Sequence, residues 1–548
     1  MPKRLHTERE RQNYTADLFP EWPFSRVVPP PITNGYSPMY KMHKYWARKP
    51  WYLVNQYIQH FTREGEVLLD PFCGSGVTGL EAIALSRSAV LVDLNPIATF
   101  IAKVTATVDF APYEIKRTFQ KISTQCAEKI HALYWLDQTC SLCSGAFETR
   151  HLLRGPKFEV PIVVAYCPYC GVKRSQIRRE LTQKEQEVLA KIEAEPITAW
   201  YPQIPFPDKF DKDRITYKGI QYIHQIFTPR NLKALSWIRE AIDEIADETI
   251  QHLLTLAFSN TLLHASKLKA ENVRPMAVNN YWVPDDWIEE NVWYRFSERV
   301  RLVERGMKVA MGRISKQQAE RLKVYTHTAT DLSMLEEHSI DYIFTDPPYG
   351  DSIQYSELSR IWNAWLKRDF PFHEEVIINP TQDKGHAEYE TLLTQAFSEM
   401  YRVLKPGRWL TLCFHNKSFE TWNAILQACR KAKFQYGNVC PQKPLSQSFT
   451  QAWAENSPKT DLLINLYKPV RESDTVHQKP QEQAFFSLER LVETVCHELS
   501  DHEQSDINLV YDGVVMKLVE AAFYGVRPEN LNDYSIYKVA QIIKGKQN

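Results

Sequence analysis

At 548 residues and 64.0 kDa the chain is too long for one ordinary domain and long enough to bury a large core, so two to four structural units are expected. Its 66 Lys+Arg balance 66 Asp+Glu, which excludes capture of a polyanion by the field of the whole molecule and leaves that task to local basic patches. No run of about 18 apolar residues occurs, residues 1–10 are polar and charged, and ten cysteines in a chain of this size are no disulfide framework, so neither a membrane span nor a secretory leader is expected and the default compartment is the cytoplasm.

In chain order, residues 1–38 carry many prolines, including Pro29-Pro30-Pro31, and read as an extended arm. Residues 50–61 (PWYLVNQYIQHF) have helical periodicity and lead into an apolar run short enough for a buried strand, 66–70 (EVLLD). A Gly-rich turn, a helix over 77–86 and a second strand over 89–93 (AVLVD) complete a βαβ unit, the opening of a doubly wound sheet. A helix over 96–106 ends this first part of the core, 39–112. The pattern then breaks for roughly two hundred residues, more than any βα connection spans, which marks an inserted domain over 113–315. The core resumes over 316–469. Residues 323–328 and 341–345 read as its third and fourth strands, followed by a helix over 389–404, a turn at Lys405-Pro406-Gly407, a fifth strand over 409–414 and a final one over 461–467 (DLLINLY). A polar linker, 470–484, precedes a small helical module, 485–548, and no internal repeat is found.

Asp70-Pro71-Phe72-Cys73-Gly74-Ser75-Gly76 sits where the first strand ends, at the carboxyl edge where open α/β sheets bind ligands. A phosphate loop needs Gly-Lys-Ser/Thr after the turn and a dinucleotide fingerprint needs a third glycine in register, whereas this chain has Val77-Thr78. Asp93, closing the second strand, is placed to accept hydrogen bonds from both ribose hydroxyls of a nucleoside cofactor; a plain tight turn is the alternative. DPFCGSG followed by VDLNP resembles the S-adenosylmethionine-binding motifs of class I methyltransferases, above all those that methylate amino groups in DNA. The resemblance implies a Rossmann-like α/β fold and assigns cofactor contact to Asp70, Pro71, Phe72, Cys73, Gly74, Gly76 and Asp93. It assigns Asp331, after Thr330 at the end of the third strand, to the cofactor's adenine amine, where an exposed helix cap is the other reading. Residues 40–50 (YKMHKYWARKP), Trp46 among them, resemble the segment that covers the cofactor's methionine end; these aromatics and basic residues suit DNA-backbone contact or packing of the arm equally well.

Asp346-Pro347-Pro348-Tyr349-Gly350 follows the fourth strand, beside the cofactor turn on the same sheet edge. The exocyclic amine of a base is a poor nucleophile because its lone pair is delocalised into the ring, so its hydrogens must be held out of plane while nitrogen meets a methyl sulfonium. Asp346 can accept one N–H and the carbonyl of Pro347 another. Pro347 and Pro348 stiffen the turn, and Tyr349 can stack on a base flipped from the helix. A rigid turn without chemistry is the alternative. The tetrapeptide resembles the catalytic motif of N6-adenine and N4-cytosine DNA methyltransferases, and an acidic first residue is more usual in the adenine class. DPPYGDSIQYSELSRIWNAWL, KGHAEYETLLTQAFSEMYRVLKPG and FTPRNLKAL extend the resemblance to large prokaryotic adenine-specific DNA methylases over 39–112 and 227–469, with 485–548 unmatched.

Within the insertion, Cys140-x-x-Cys143 and Cys167-x-x-Cys170 form two knuckles whose thiolates can close a tetrahedral, structural Zn2+ site, at a separation slightly longer than the usual zinc ribbon. A redox pair is the alternative, although one pair does not need a matching second. Lys173, Arg174, Arg178 and Arg179 form a basic cluster for phosphates or a solvated helix face. The motif order leaves the insertion as the target-recognition region.

The resemblance implies a site-specific methyltransferase that acts on double-stranded DNA, at adenine N6, by base flipping, in restriction-modification or host defence beside a nuclease or other defence subunits. Three rivals stand: N4-cytosine methylation, guanosine-N2 methylation of transfer RNA, which shares Asp-Pro-Pro-Tyr-Gly but usually follows an N-terminal RNA-binding domain, and a catalytically silent DNA-binding subunit. Cytosine C5 chemistry is disfavoured, since it needs a Pro-Cys nucleophile and Cys440 follows Val439.

Overall fold

The computed structural model describes residues 37–171, 175–208, 218–271, 281–416, 418–442, 461–471, 488–499 and 507–523, with positions 273, 275, 542 and 545. The arm over 1–36, Lys173, Arg174 and most of the 470–484 linker lie outside the described residues. The strands are β1 (Val67–Asp70), β2 (Ser88–Asp93), β3 (Glu148–Arg154), β4 (Ile162–Tyr166), β5 (Gln176–Glu180), β6 (Trp287–Glu290), β7 (Leu322–Thr326), β8 (Ile340–Thr345), β9 (Leu404–Phe414), β10 (Gln435–Gln442) and β11 (Asp461–Tyr467).

Seven of these form one sheet in the order β10-β11-β9-β8-β1-β2-β7. β7, β2, β1, β8 and β9 run parallel, while β11 is antiparallel to both β9 and β10. Near-continuous apolar runs such as Leu68-Leu69 and Tyr342-Ile343-Phe344 are what strands covered on both faces require, and all five are buried. Strand order reverses between β1 and β8, so the carboxyl ends of these neighbours border the crevice in which doubly wound sheets hold ligands. This is the Rossmann-like class I methyltransferase fold that the resemblance implies. The Lys405-Pro406-Gly407 turn lies within the span of β9, because pairing with β8 already begins at Ile340↔Leu404; the register shifts before Tyr342↔Trp409, and Gly407 takes up the bend at φ +73°.

The insertion carries a second, antiparallel sheet in the order β5-β4-β3-β6, which the sequence reading passed over. Its outer strand β5 (QIRRE) has no fully buried position, so no apolar run announces it. Arg178 and Arg179 lie on this strand rather than on a helix face: Arg179 is bound by Glu185 at 2.8 and 2.9 Å and Arg178 by Glu271 at 3.0 Å. The helices Pro229–Asp243, Glu248–Ala265 and Val292–Arg313 pack into the same apolar cluster as β1 and the helix Trp51–Phe61. The C-terminal helices Leu488–Glu498 and Ile507–Phe523 join the cluster on the other side of the sheet, with Phe523 stacked on Tyr436 of β10 at 5.6 Å. Among the described residues no helix is long and apolar enough to cross a membrane.

Glu81, fully buried in the helix Val77–Ala84, fastens insertion to core. Its carboxylate accepts from both terminal guanidinium nitrogens of Arg313 (2.8 and 2.7 Å), from the Tyr40 hydroxyl (2.5 Å) and from Asn55 (2.9 Å). Removing one partner of a buried pair leaves a charge uncompensated, so Arg313→Met is expected to lower unfolding free energy by about 3 kcal/mol. Glu81→Gln in the Arg313→Met background is expected to recover part of that loss in urea denaturation.

Candidate active site

Between β1 and the helix Val77–Ala84 the chain turns back on itself in two left-handed steps, Gly74 at φ +50° and Gly76 at φ +83°. A Cβ at Gly76 would lie 2.6 Å from Ala102 Cβ and one at Gly74 2.9 Å from the Tyr45 ring, so both positions are closed to side chains by packing as well as by dihedral. Asp93 clasps the turn. One carboxylate oxygen accepts the N–H of Gly74 and the other that of Asn95, each at 2.8 Å. Burial pushes Asp93 up to about 6 against the pull of those two amides, and the lone pairs they leave unused are available to vicinal hydroxyls. Asp70 is pushed further, to about 8, by burial first and then by Asp346 and Asp93.

The segment before the helix Trp51–Phe61 folds over this turn. Arg48 staples it: its Nε donates to Ser75 Oγ at 2.8 Å and its other nitrogens donate to the carbonyls of Tyr40 and His43. Tyr45 and Trp46 thereby face Tyr355, at ring separations of 6.2 and 6.0 Å, and all three line a cavity with Asp70, Pro71, Phe72, Cys73, Gly74 and Asp93. Asp346 and Pro348 line the same cavity from the end of β8. Gly76, Pro347 and Tyr349 are not among the residues that line it. Asp331 is elsewhere: it is exposed, its carboxylate accepts the N–H of Ser333 at 2.9 Å, and Thr328 and Ala329 form the wall after β7 in its place. A short local turn, with no helix after it, holds Asp331, and Asp331 is not among the residues that line the cavity.

The Asp-Pro-Pro-Tyr turn is held by its backbone. Tyr389 donates its hydroxyl to the carbonyl of Pro348 at 2.6 Å and Asn416 donates its amide to that of Tyr349 at 3.0 Å, while the carbonyl of Pro347 accepts from no group among the described residues. The Tyr349 ring packs edge-on against Phe414 at 5.2 Å. Its hydroxyl donates to Asp346 Oδ1 at 2.5 Å and accepts from Lys49 Nζ, also at 2.5 Å. Lys49 Nζ lies 3.4 Å from Asp346 Oδ1 and 2.9 Å from Asp461 Oδ2. Burial would lower Lys49, but Asp346 and Asp461 outweigh it and hold the ammonium well above the usual lysine range. Burial raises Asp346 to about 6, with Lys49 and the Tyr349 hydroxyl pulling the other way.

Lys49 and Asp461 were not singled out from sequence. Lys49 sits inside the noted 40–50 segment, where charge interleaved with aromatics has several readings. Asp461 had a signal: it begins a strand, β11, that runs antiparallel to the others, so its amino end reaches the edge where the parallel strands have their carboxyl ends.

In the insertion, Cys140, Cys143, Cys167 and Cys170 bring four sulfurs within 4.8 Å of one another. The Cys140–Cys170 and Cys143–Cys167 separations, 3.9 and 3.4 Å, are far beyond a disulfide's roughly 2.05 Å and near the ~3.8 Å that tetrahedral geometry gives for Zn–S bonds of about 2.3 Å. Leu142 N–H donates to Cys140 Sγ at 3.4 Å, as the amides of metal-binding knuckles do.

Residues 2–103 match the model of the N6/N4 DNA methylase family, a span that contains the cofactor turn. The type II methyltransferase M.MjaII of Methanocaldococcus jannaschii is 20% identical over 402 residues, 69% of this chain and 72% of that protein. The type II methyltransferase M2.DpnII of Streptococcus pneumoniae is 33% identical over 95 residues, 16% of this chain and 34% of its own length. A solved TehB-like S-adenosylmethionine-dependent methyltransferase of Corynebacterium glutamicum covers 76% of this chain and 86% of its own, at 8% identity and a TM-score of 0.24, and adds nothing to the topology described above. By its two turns and these sequence matches, the chain is similar to the DNA methyltransferases that methylate amino groups.

Proposed function

We propose that the chain transfers a methyl group from S-adenosylmethionine to the N6 amine of adenine in double-stranded DNA, with the base flipped into the site. The observation that carries this reading is the opening of the Asp93-clasped glycine turn and of Asp346 onto one cavity. When bound there, the cofactor supplies an electrophilic methyl group on a sulfonium sulfur. Asp93 would take the ribose hydroxyls, and Tyr45 and Trp46 would cover the methionine end. Asp346 Oδ2 and the carbonyl of Pro347 would accept the two N–H bonds of the target amine, drawing its lone pair out of conjugation. Tyr349, held upright against Phe414, would offer its ring to the base. Asp346 would then receive the proton that nitrogen sheds once the N–C bond has formed. The acidic first residue of the turn supports adenine over cytosine, and the type II relatives support a role in restriction-modification. We also infer that the four cysteines hold a structural Zn2+, since no position in the set is left open for a substrate.

Three outcomes are expected. Asp93→Ala should weaken S-adenosylmethionine binding by about 1–3 kcal/mol in calorimetry, because it removes a charge-assisted acceptor and unclasps Gly74. Asp346→Ala should abolish transfer of labelled methyl to duplex DNA while cofactor affinity stays within about twofold, since its carboxylate engages the base chiefly in the transition state; label recovered as N4-methylcytosine, or only on transfer RNA, replaces the adenine reading. Elemental analysis should find one zinc per chain, and Cys167→Ser should lose it together with the lowest-melting part of the protein.

A further inference from the structure

Lys49 is a buried cation shared between two carboxylates from distant parts of the chain, only one of which has a place in the proposed chemistry. Its side chain is 8% exposed, those of Asp346 and Asp461 18% and 13%. A buried ion pair contributes little net stability, because desolvation offsets the attraction, so packing alone gives no reason for this arrangement. The groups facing Asp346 are Asp70 from the end of β1, Tyr349 from its own turn, Tyr355 from the helix Tyr355–Trp365, Cys413 from β9, Asp461 from β11 and Lys49 from the folded-over segment. Of these six, Lys49 alone is cationic, and Asp461 repels the Asp346 charge. The two contacts that reach Asp346, from Lys49 and from the Tyr349 hydroxyl, both fall on Oδ1, and Oδ2 accepts from no group among the described residues.

Resting on the methyl-transfer reading, we propose that Lys49 is a positioning residue that keeps Asp346 ionised and its Oδ2 free to accept the target amine, with Asp461 setting how much of the lysine's charge Asp346 receives. Burial already brings Asp346 up to about 6 with Lys49 in place, so at neutral pH the carboxylate is ionised with little margin. The sign follows: as pH falls through that value the proton returns, the acceptor is lost and kcat/KM falls, giving an acid limb near pH 6.

The test is the pH profile of kcat/KM for methyl transfer to duplex DNA, together with melting temperatures. Lys49→Met removes the opposite charge and should move the acid limb up by about two units, so that activity at pH 7 drops roughly tenfold and recovers above about pH 8. Lys49→Arg should keep the limb within about half a unit. Asp461→Asn removes a like charge and returns the whole ammonium to Asp346, so it should move the limb down. Apart from activity, Asp346→Asn in the Lys49→Met background should raise the melting temperature, and the gain should grow with pH as the uncompensated carboxylate ionises. A uniform loss in Lys49→Met at every pH, or an Asp461→Asn limb that stays in place or rises, overturns the proposal; if Lys49→Met does not fold, Asp461→Asn and Lys49→Arg decide it. A wild-type chain inactive on DNA at all pH values sinks the methyl-transfer reading instead, and the melting temperatures still report whether Lys49 compensates Asp346.

Discussion

Like charges crowd one edge of the main sheet. Asp70 ends β1, Asp93 ends β2, Asp346 follows β8 and Asp461 begins the reversed strand β11, so the topology that gathers ligand-binding positions also gathers four carboxylates in a partly dry space. Such a cluster is unstable unless its members are protonated, bonded to N–H groups or paired with a cation. The protein uses all three. Burial favours the protonated form of Asp70, two main-chain amides serve Asp93, and one lysine is divided between Asp346 and Asp461. That lysine is delivered by a segment with no regular structure of its own around it, which explains why Arg48 ties the segment down to Ser75 and to its own carbonyls.

Seen this way, cofactor turn and catalytic turn are one electrostatic unit. Asp70 lies against the first and feels Asp346 in the second, and Tyr355 faces both. A positive sulfonium in the cavity would act on all of these carboxylates at once, favouring their ionised forms.

The parallel core was legible because strands buried on both faces are written as short apolar runs closed by a functional residue, EVLLD, AVLVD and DYIFTD among them. Residues 96–106 and 461–467 match the helix Pro96–Ala106 and β11 to the residue. What escaped had a different physical basis. β3 to β6 form a small sheet in which β5 lacks a fully buried position, so periodicity carries little signal, and β10 contains Pro441 and Gly437, which argue against a strand away from an edge; β10 is at the edge. In the site, the turn residues were visible because their neighbours in sequence are their neighbours in space. Lys49 and Asp461 were not, since they are separated by 412 positions and meet only once β11 has reversed direction. Asp331 stands two positions beyond the cavity wall at Ala329, where its carboxylate accepts the N–H of Ser333 in its own turn.

Asn416 joins parts that would otherwise be remote. Its amide nitrogen holds the carbonyl of Tyr349, its amide oxygen accepts Ser418 N–H at 2.7 Å, and its own carbonyl accepts the Trp422 indole at 3.1 Å and the Tyr511 hydroxyl at 3.4 Å. Tyr511 belongs to the helix Ile507–Phe523, so that helix braces the loop that carries Tyr349. A helix so placed behaves as a keystone rather than an appendage. Removing it would slacken the hold on Tyr349 before it disturbed the clasp at Asp93.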